Sequence, residues 1–195
     1  MAADSDVLPL FPLHTVLFPG GPLPLRIFET RYIDMVSRCM RDQLPFGVLL
    51  IQEGEEAGAV ASTVAVGCAA RIVDFNTLPD GLLGISCVGE HKFRVQRVWR
   101  AADGLNLGEV TRLADEPSLL IPAEFARLSD VVRRAFAELD EHYAFVEKKF
   151  DDASWVGCRL AELLPIQPTD KQSLLEIDDP IRRLEALASA VEIRA

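Results

Sequence analysis

The sequence has no Gly-Lys dipeptide, no H-E-x-x-H and no C-x-x-C. Without Gly-Lys there is no Walker A loop to cradle the phosphates of a nucleoside triphosphate. The three histidines, His14, His91 and His142, are not spaced as local metal ligands. The four cysteines, Cys39, Cys68, Cys87 and Cys158, lie far apart and read as small core residues of a reduced, cytoplasmic protein. Gly84-Ile85-Ser86-Cys87-Val88 misses the nucleophile elbow, since Val88 stands where the motif needs its second glycine. The acidic start MAADSDV lacks the basic and apolar regions of a secretory signal. No apolar run approaches the ~18 residues of a membrane-crossing helix. Internal repeats and low-complexity segments are also lacking.

What is there is ordinary globular material. A chain of 195 residues, 49% hydrophobic and 26% charged, makes one large domain or two small ones. It can bury roughly 70% of its unfolded surface without a disulfide or metal. The net charge of −10 opposes general binding to nucleic acid or anionic membranes through long-range repulsion.

The most informative stretch is Leu8 to Tyr32, LPLFPLHTVLFPGGPLPLRIFETRY. Its prolines, Pro9, Pro12, Pro19, Pro22 and Pro24, remove backbone donors and rule out a helix or an uninterrupted central strand. The expectation is three extended pieces, Leu8 to Leu10, His14 to Phe18 and Leu23 to Phe28, with a turn at Pro19 to Pro22. A helix follows from Thr30 to Arg41, with Tyr32, Met35, Val36, Cys39 and Met40 on one face and Thr30 as N-cap.

Phe46 to Ile51 is a strand, followed by a flexible acidic loop, QEGEEAGAVAS. Val64 to Phe75 and Leu82 to Val88 form a hairpin around Pro79-Asp80-Gly81, and Gly67 marks a bulge or a close backbone approach. Gly89-Glu90 reads as a further turn, His91 to Trp99 as the next strand, and Leu105 to Leu113 as the last. Many short strands with tight turns and one helix indicate a small barrel or sandwich over residues 1–121. From Pro122 the spacing changes to three and four. One long helix is expected through Val146, with His142 solvated on it, then helices at Trp155 to Leu164, at a Thr169-x-x-Gln172 capping box, and after Asp178 or Asp179. Residues 122–195 thus form an all-helical subdomain.

One basic cluster is present: His91, Lys92, Arg94, Arg97 and Arg100. Strand parity puts Lys92, Arg94 and Arg100 on one face, either as a phosphate or RNA contact or as the wet side of a barrel strand. His91 itself reads as a partly exposed edge residue. In the opening stretch Arg26, Glu29 and Arg31 are candidates beyond packing, with an internal salt bridge from Glu29 to an arginine as the reading to set beside ligand contact.

Several motifs together resemble the N-terminal, substrate-binding domain of Lon protease. They are Leu8-Pro9-Leu10-Phe11-Pro12-Leu13, Val16-Leu17-Phe18-Pro19-Gly20, Phe28-Glu29-x-Arg31-Tyr32, Val66-Gly67-Cys68-Ala69-Ala70 and Leu78-Pro79-Asp80-Gly81. Leu160-Ala161-Glu162-Leu163-Leu164-Pro165-Ile166 and Lys171-Gln172-x-Leu174-Leu175-Glu176 carry the likeness into the helical part. The resemblance implies an α+β fold, a PUA-like β pseudo-barrel with one helix followed by a helical bundle. It implies a stand-alone protein of bacterial type, since no ATPase or protease module is in the sequence, and no catalytic residue is carried over.

Three readings follow. The first is a non-enzymatic, peptide-binding module, with Arg26, Phe28, Glu29, Arg31 and Tyr32 as contact residues and no cofactor or metal. Its partners would be unfolded or tagged polypeptides and a separate protease or chaperone. The second is an RNA- or nucleotide-binding module using Lys92, Arg94, Arg97 and Arg100. The third is a small-molecule enzyme with a cysteine or carboxylate in a cleft between the domains.

Overall fold

The computed structural model describes residues 5–56, 62–139 and 143–192. It divides into two compact units, Met1–Ala114 and Asp115–Ala195. The sequence pattern changes character at Ile121-Pro122; Glu116 nevertheless belongs with the second unit, where it is ion-paired to Arg183.

The first unit is a seven-stranded sheet with one helix. The strands are β1 (Ser5–Leu13), β2 (Pro22–Ile27), β3 (Phe46–Glu53), β4 (Ser62–Thr63), β5 (Val66–Thr77), β6 (Leu83–Arg100) and β7 (Asn106–Arg112); the helix α1 (Thr30–Asp42) follows β2. Neighbours run β1-β7-β6-β5-β3-β4, β2 adds to β6, and a parallel β1–β3 pairing brings the path back to its start. One apolar cluster gathers Phe11, Ile27, Phe46, Val48 and Ile85 under Tyr32, Met35, Val36 and Cys39 of α1. Another holds Leu8, Leu10, Leu49, Ala69, Phe93 and Val110.

β1 corrects the expectation that prolines break this stretch. It is one strand, but it changes partner along its length. Ser5 to Leu10 pair with β7 and Leu10 to Leu13 with β3. Pro9 and Pro12 therefore each have a strand on one side only, where a missing donor costs no ladder bond. The second expected piece, His14 to Phe18, is not a strand. It leads into a loop that docks on β6: Gly20 N donates to Gly89 O at 2.7 Å and Gly89 N donates to Gly21 O at 2.9 Å. This explains a second correction. Gly89 is not a turn; β6 runs unbroken through it, and a Cβ there would meet the Phe18 carbonyl oxygen at 2.2 Å. Gly67 serves the same purpose against Val48 O, at 2.3 Å. The β5–β6 hairpin closes as expected, with Leu78 N donating to Leu82 O at 2.8 Å and Gly81 at φ +85°.

In the second unit a 3-10 turn (Ala123–Phe125) leads into α2 (Ala126–Glu138), α3 (Ala153–Leu163), α4 (Pro168–Glu176) and α5 (Pro180–Glu192). The long helix expected through Val146 stops at Glu138. Its apolar spacing is satisfied differently, because the chain turns and Tyr143 stacks on Phe136 at 4.0 Å. Phe150 and Trp155 then pack edge-on against Phe136 at 5.7 and 5.3 Å. His142 lies outside the described residues. Asp152 caps α3 by accepting from Trp155 N at 2.8 Å, and Asp179 caps α5 by accepting from Ile181 N at 2.9 Å. Thr169 does not cap α4: Pro168 takes the first position and Gln167 precedes it. Among the described residues no helix is long and apolar enough to cross a membrane.

Candidate functional site

α1 begins where β2 ends. Glu29 is still extended, and its carbonyl accepts from Tyr32 N at 2.9 Å and Ile33 N at 3.1 Å, which starts the helix. Thr30, read as the N-cap from sequence, is already inside it. The Glu29 carboxylate makes no cap bond and instead pairs with Arg31 Nη2 at 2.9 Å. Arg31 Nη1 also donates to Gly104 O at 3.2 Å, and its guanidinium lies 4.6 Å from the centre of the Tyr32 ring. Tyr32 stacks on Phe11 at 4.0 Å. Burial raises the Tyr32 hydroxyl above its ordinary pKa, against the pull of Arg31.

Glu29, Arg31 and Tyr32 are thus engaged within the fold, with Tyr32 in the core. Arg26 is ion-paired with Asp80 of the β5–β6 turn. Phe28 is the candidate left with a large free surface, at 61% exposure.

Arg31, Met35, Arg38 and Asp42 follow one stripe of α1 at spacings of four and three. Arg38 Nη2 donates to Asp103 Oδ2 at 3.2 Å, and Asp103 Oδ1 accepts from Leu105 N at 3.0 Å. The Leu105 amide, then Arg38, holds the Asp103 carboxyl below the usual range. Farther along the stripe a cavity of about 200 Å³ opens, lined by Pro9, Met35, Cys39, Leu44, Leu105 and Leu107, with Arg38 and Asp42 also in its wall. Leu44 is 59% exposed. It also lines an opening of about 420 Å³ with Met40, Gln43, Arg71 and Ile72. Met40, assigned to the buried face from sequence, is exposed. The groove was not read from the sequence, because its lining comes from β1, α1, the residues after α1, and Leu105 and Leu107 at the entry to β7. The available signal was Leu44, an apolar residue between left-handed Gln43 (φ 54°) and Pro45.

The basic strand does not present the expected face. Lys92 is buried, at 3% exposure. The β6–β7 register shifts between Val95 and Arg97, so that Arg94 stands opposite Thr111, Arg97 opposite Glu109 and Arg100 opposite Asn106. Opposed residues share a face and successive residues alternate. Arg94 and Arg97 therefore share a face with Thr111 and Glu109, and Arg100 lies on the other. One extra residue in β6 is the physical reason.

All four cysteines are buried; burial pushes Cys39 up to about 11 and Cys87 up to about 12. No group of three or more His, Cys, Asp or Glu is placed to hold a metal ion among the described residues. In the second unit Arg159 Nη2 donates to Glu162 Oε1 at 2.7 Å and Lys171 Nζ to Glu162 O at 2.6 Å. Burial raises the Glu162 carboxyl to about 7 despite Arg159 beside it.

Comparison with known proteins places this arrangement. The family model described as ATP-dependent protease La (LON) substrate-binding domain matches residues 7–192. The chain is 40% identical to the Lon N-terminal domain protein from Xanthomonas campestris, whose crystal structure superposes with a TM-score of 0.78 over 94% of this chain and 98% of that one. The N-terminal domain of the Mycobacterium avium complex Lon protease shares the fold, with a TM-score of 0.61 at 18% identity over 94% of this chain and 97% of that one. Lon protease 2 of Myxococcus xanthus is 26% identical over 97% of this chain and 22% of its own length. Lon protease of Geobacter metallireducens is 27% identical over 92% and 23% respectively. The chain spans less than a quarter of the length of these two Lon proteases.

Proposed function

We propose a polypeptide-binding function for this chain, which belongs to the ATP-dependent protease La (LON) substrate-binding domain family. The observation that carries the proposal is the groove between α1 and strands β1 and β7, with an apolar floor and exposed Leu44 in its wall. Such a groove suits one aliphatic or aromatic side chain of an extended or unfolded segment, while the chain on either side follows the α1 stripe. Of the contact residues expected from sequence, Phe28 offers exposed apolar surface, while Arg26 is committed to Asp80 and Glu29, Arg31 and Tyr32 to contacts within the fold. The partners are unfolded or tagged polypeptides, delivered to a separate protease or chaperone in the cytoplasm.

The β1–β3 pairing that returns the sheet to its start supports reading the first unit as a PUA-like pseudo-barrel. α2 to α5 support reading the second as a helical bundle. The chain acts as a binder without catalysis of its own; its buried, high-pKa thiols favour this over a cysteine enzyme. The division of the basic strand between two faces disfavours an RNA-binding role.

Fluorescence anisotropy with a panel of labelled, permanently unfolded proteins tests the proposal. Binding at tens of micromolar or tighter is expected, weakened about tenfold in Leu44→Asp, since burying a carboxylate in an apolar cavity is costly. A panel that does not bind, or one that binds Leu44→Asp equally well, overturns it.

A further inference from the structure

We infer that Arg100 receives a carboxylate of the bound polypeptide at the Gly104 end of the α1 stripe. This rests on the polypeptide-binding reading and adds a chemical requirement to it. Four of the exposed guanidiniums in the first unit are already neutralised. Arg26 holds Asp80, Arg38 holds Asp103, Arg41 holds Asp42 and Arg71 holds Glu90. Arg100 is exposed and has no ion pair among the described residues. Its Nε donates to Gly104 O at 3.2 Å, the same oxygen that takes Arg31 Nη1 at 3.2 Å. Two guanidiniums therefore converge on one backbone carbonyl. Arg31 additionally keeps a buried Nε with no hydrogen-bond partner.

The position is fixed rather than fortuitous. Gly104 sits at φ +82°, which side chains rarely adopt, and a Cβ there would lie 3.4 Å from Arg100 Nη2. Arg31 is held over Tyr32, and Tyr32 over Phe11. Three carboxylates are near: Glu29 is already on Arg31, Asp103 on Arg38, and Glu56 accepts from His14 N at 2.7 Å. The unused capacity is on Arg100. Among the described residues Arg94 and Arg97 also lack an ion pair, but they lie on the other face of β6, away from this convergence.

Arg31 and the groove-lining Met35, Arg38 and Asp42 share one helix stripe. At the rise of an α-helix the groove lies roughly 6–16 Å along it from Arg31, which an extended chain spans in about two to five residues. The ligand is therefore a segment with an apolar side chain and, two to five residues away, a carboxylate from either the chain terminus or an acidic side chain.

Anisotropy titrations of the full chain with labelled peptides test this. Each peptide carries one phenylalanine, followed four residues later by a free C-terminal acid, a C-terminal amide, or an aspartate within an amidated chain. Wild type should bind at least one carboxylate-bearing peptide about tenfold more tightly than the plain amide, as expected for a charge-assisted bond. Arg100→Gln should lose that preference while binding the amide as wild type does, and Arg100→Lys should recover part of it. Preference for the free acid alone assigns the chain terminus; equal preference for the internal aspartate assigns the carboxylate without regard to source. Equal binding of acid, aspartate and amide peptides by wild type overturns the inference and leaves polypeptide binding standing. An unchanged preference in Arg100→Gln also overturns it. Binding of none of the peptides removes both.

Discussion

Glu116 and Arg183 form a two-pronged ion pair sealed from solvent: Nη1 donates to Oε2 at 2.7 Å and Nη2 to Oε1 at 2.5 Å. Arg183 is fully buried, and its Nε donates to Leu174 O at 2.9 Å while Nη2 also reaches Ile177 O. Ser154 Oγ donates to Glu116 Oε2 at 2.5 Å. A single guanidinium thereby ties the segment before α2, the end of α4 and helix α5 to α3.

Removing one partner leaves the other charge buried without compensation. Glu116→Ala and Arg183→Leu should each destabilise the second unit by about 3–5 kcal/mol. The double variant should cost less than the two single changes added together, since no lone charge remains. Urea titrations followed by circular dichroism measure all three. Strictly additive losses would show that the pair is not coupled.

Gly89 carries a second prediction. With a Cβ position 2.2 Å from the Phe18 carbonyl oxygen, alanine fits only if the loop after Phe18 leaves β6 and the Gly20 and Gly21 backbone bonds break. Gly89→Ala should destabilise the protein by about 3 kcal/mol, the upper range for overpacking a filled site. Gly81→Ala is the contrast. It has open space and only its φ of +85° to oppose it, so its loss should be about 1 kcal/mol. Thermal melts that rank the two in reverse order would contradict the close-approach account.

How much of this was legible in the sequence depended on range. Local chemistry was readable: the Pro79-Asp80-Gly81 hairpin, an aspartate cap at Asp178 or Asp179 ahead of Pro180, the apolar face of α1 apart from Met40, and a pairing of Glu29 with an arginine follow from residues a few positions apart. Gly89 misled, because a glycine demanded by a loop arriving from Phe18 looks the same as one demanded by a turn. Pro9 and Pro12 misled because β1 exchanges β7 for β3 at Leu10, which no local pattern encodes. The extra residue in β6 was invisible for the same reason, and it is what separates Arg100 from Arg94. The groove beside Leu44 depends on four segments meeting, so its lining could not be assembled from spacing.

The buried thiols give a third prediction. With Cys39 near 11 and Cys87 near 12, raised by burial, and Cys158 raised for the same reason, little thiolate exists at pH 8. A chromogenic disulfide reagent should react slowly with the native protein and release four equivalents once urea unfolds it, matching the four cysteines. A fast native equivalent would mark one thiol as accessible and reopen its candidacy for chemistry.

Glu162 makes the last prediction, and its sign is opposite to that of most paired carboxylates. Folding raises its carboxyl from 4.5 to about 7, because burial outweighs the attraction of Arg159. Below pH 4.5 both folded and unfolded chains hold the proton. Between 4.5 and about 7 the unfolded chain releases it while the folded chain keeps it, so stability falls as pH rises, and it levels off above about 7. The shift corresponds to about 3 kcal/mol. Asp103, held low by the Leu105 amide and Arg38, contributes in the reverse sense at lower pH, so the wild-type curve alone would mix the two. Glu162→Gln isolates the effect: its carbonyl oxygen still accepts from Arg159 Nη2, and it cannot titrate. The stability of wild type minus that of Glu162→Gln, from urea titrations at pH 4.5, 5.5, 6.5 and 7.5, should drop by about 3 kcal/mol across the series. A difference that stays flat would mean that folding leaves the Glu162 carboxyl unshifted, with the Arg159 pair offsetting burial.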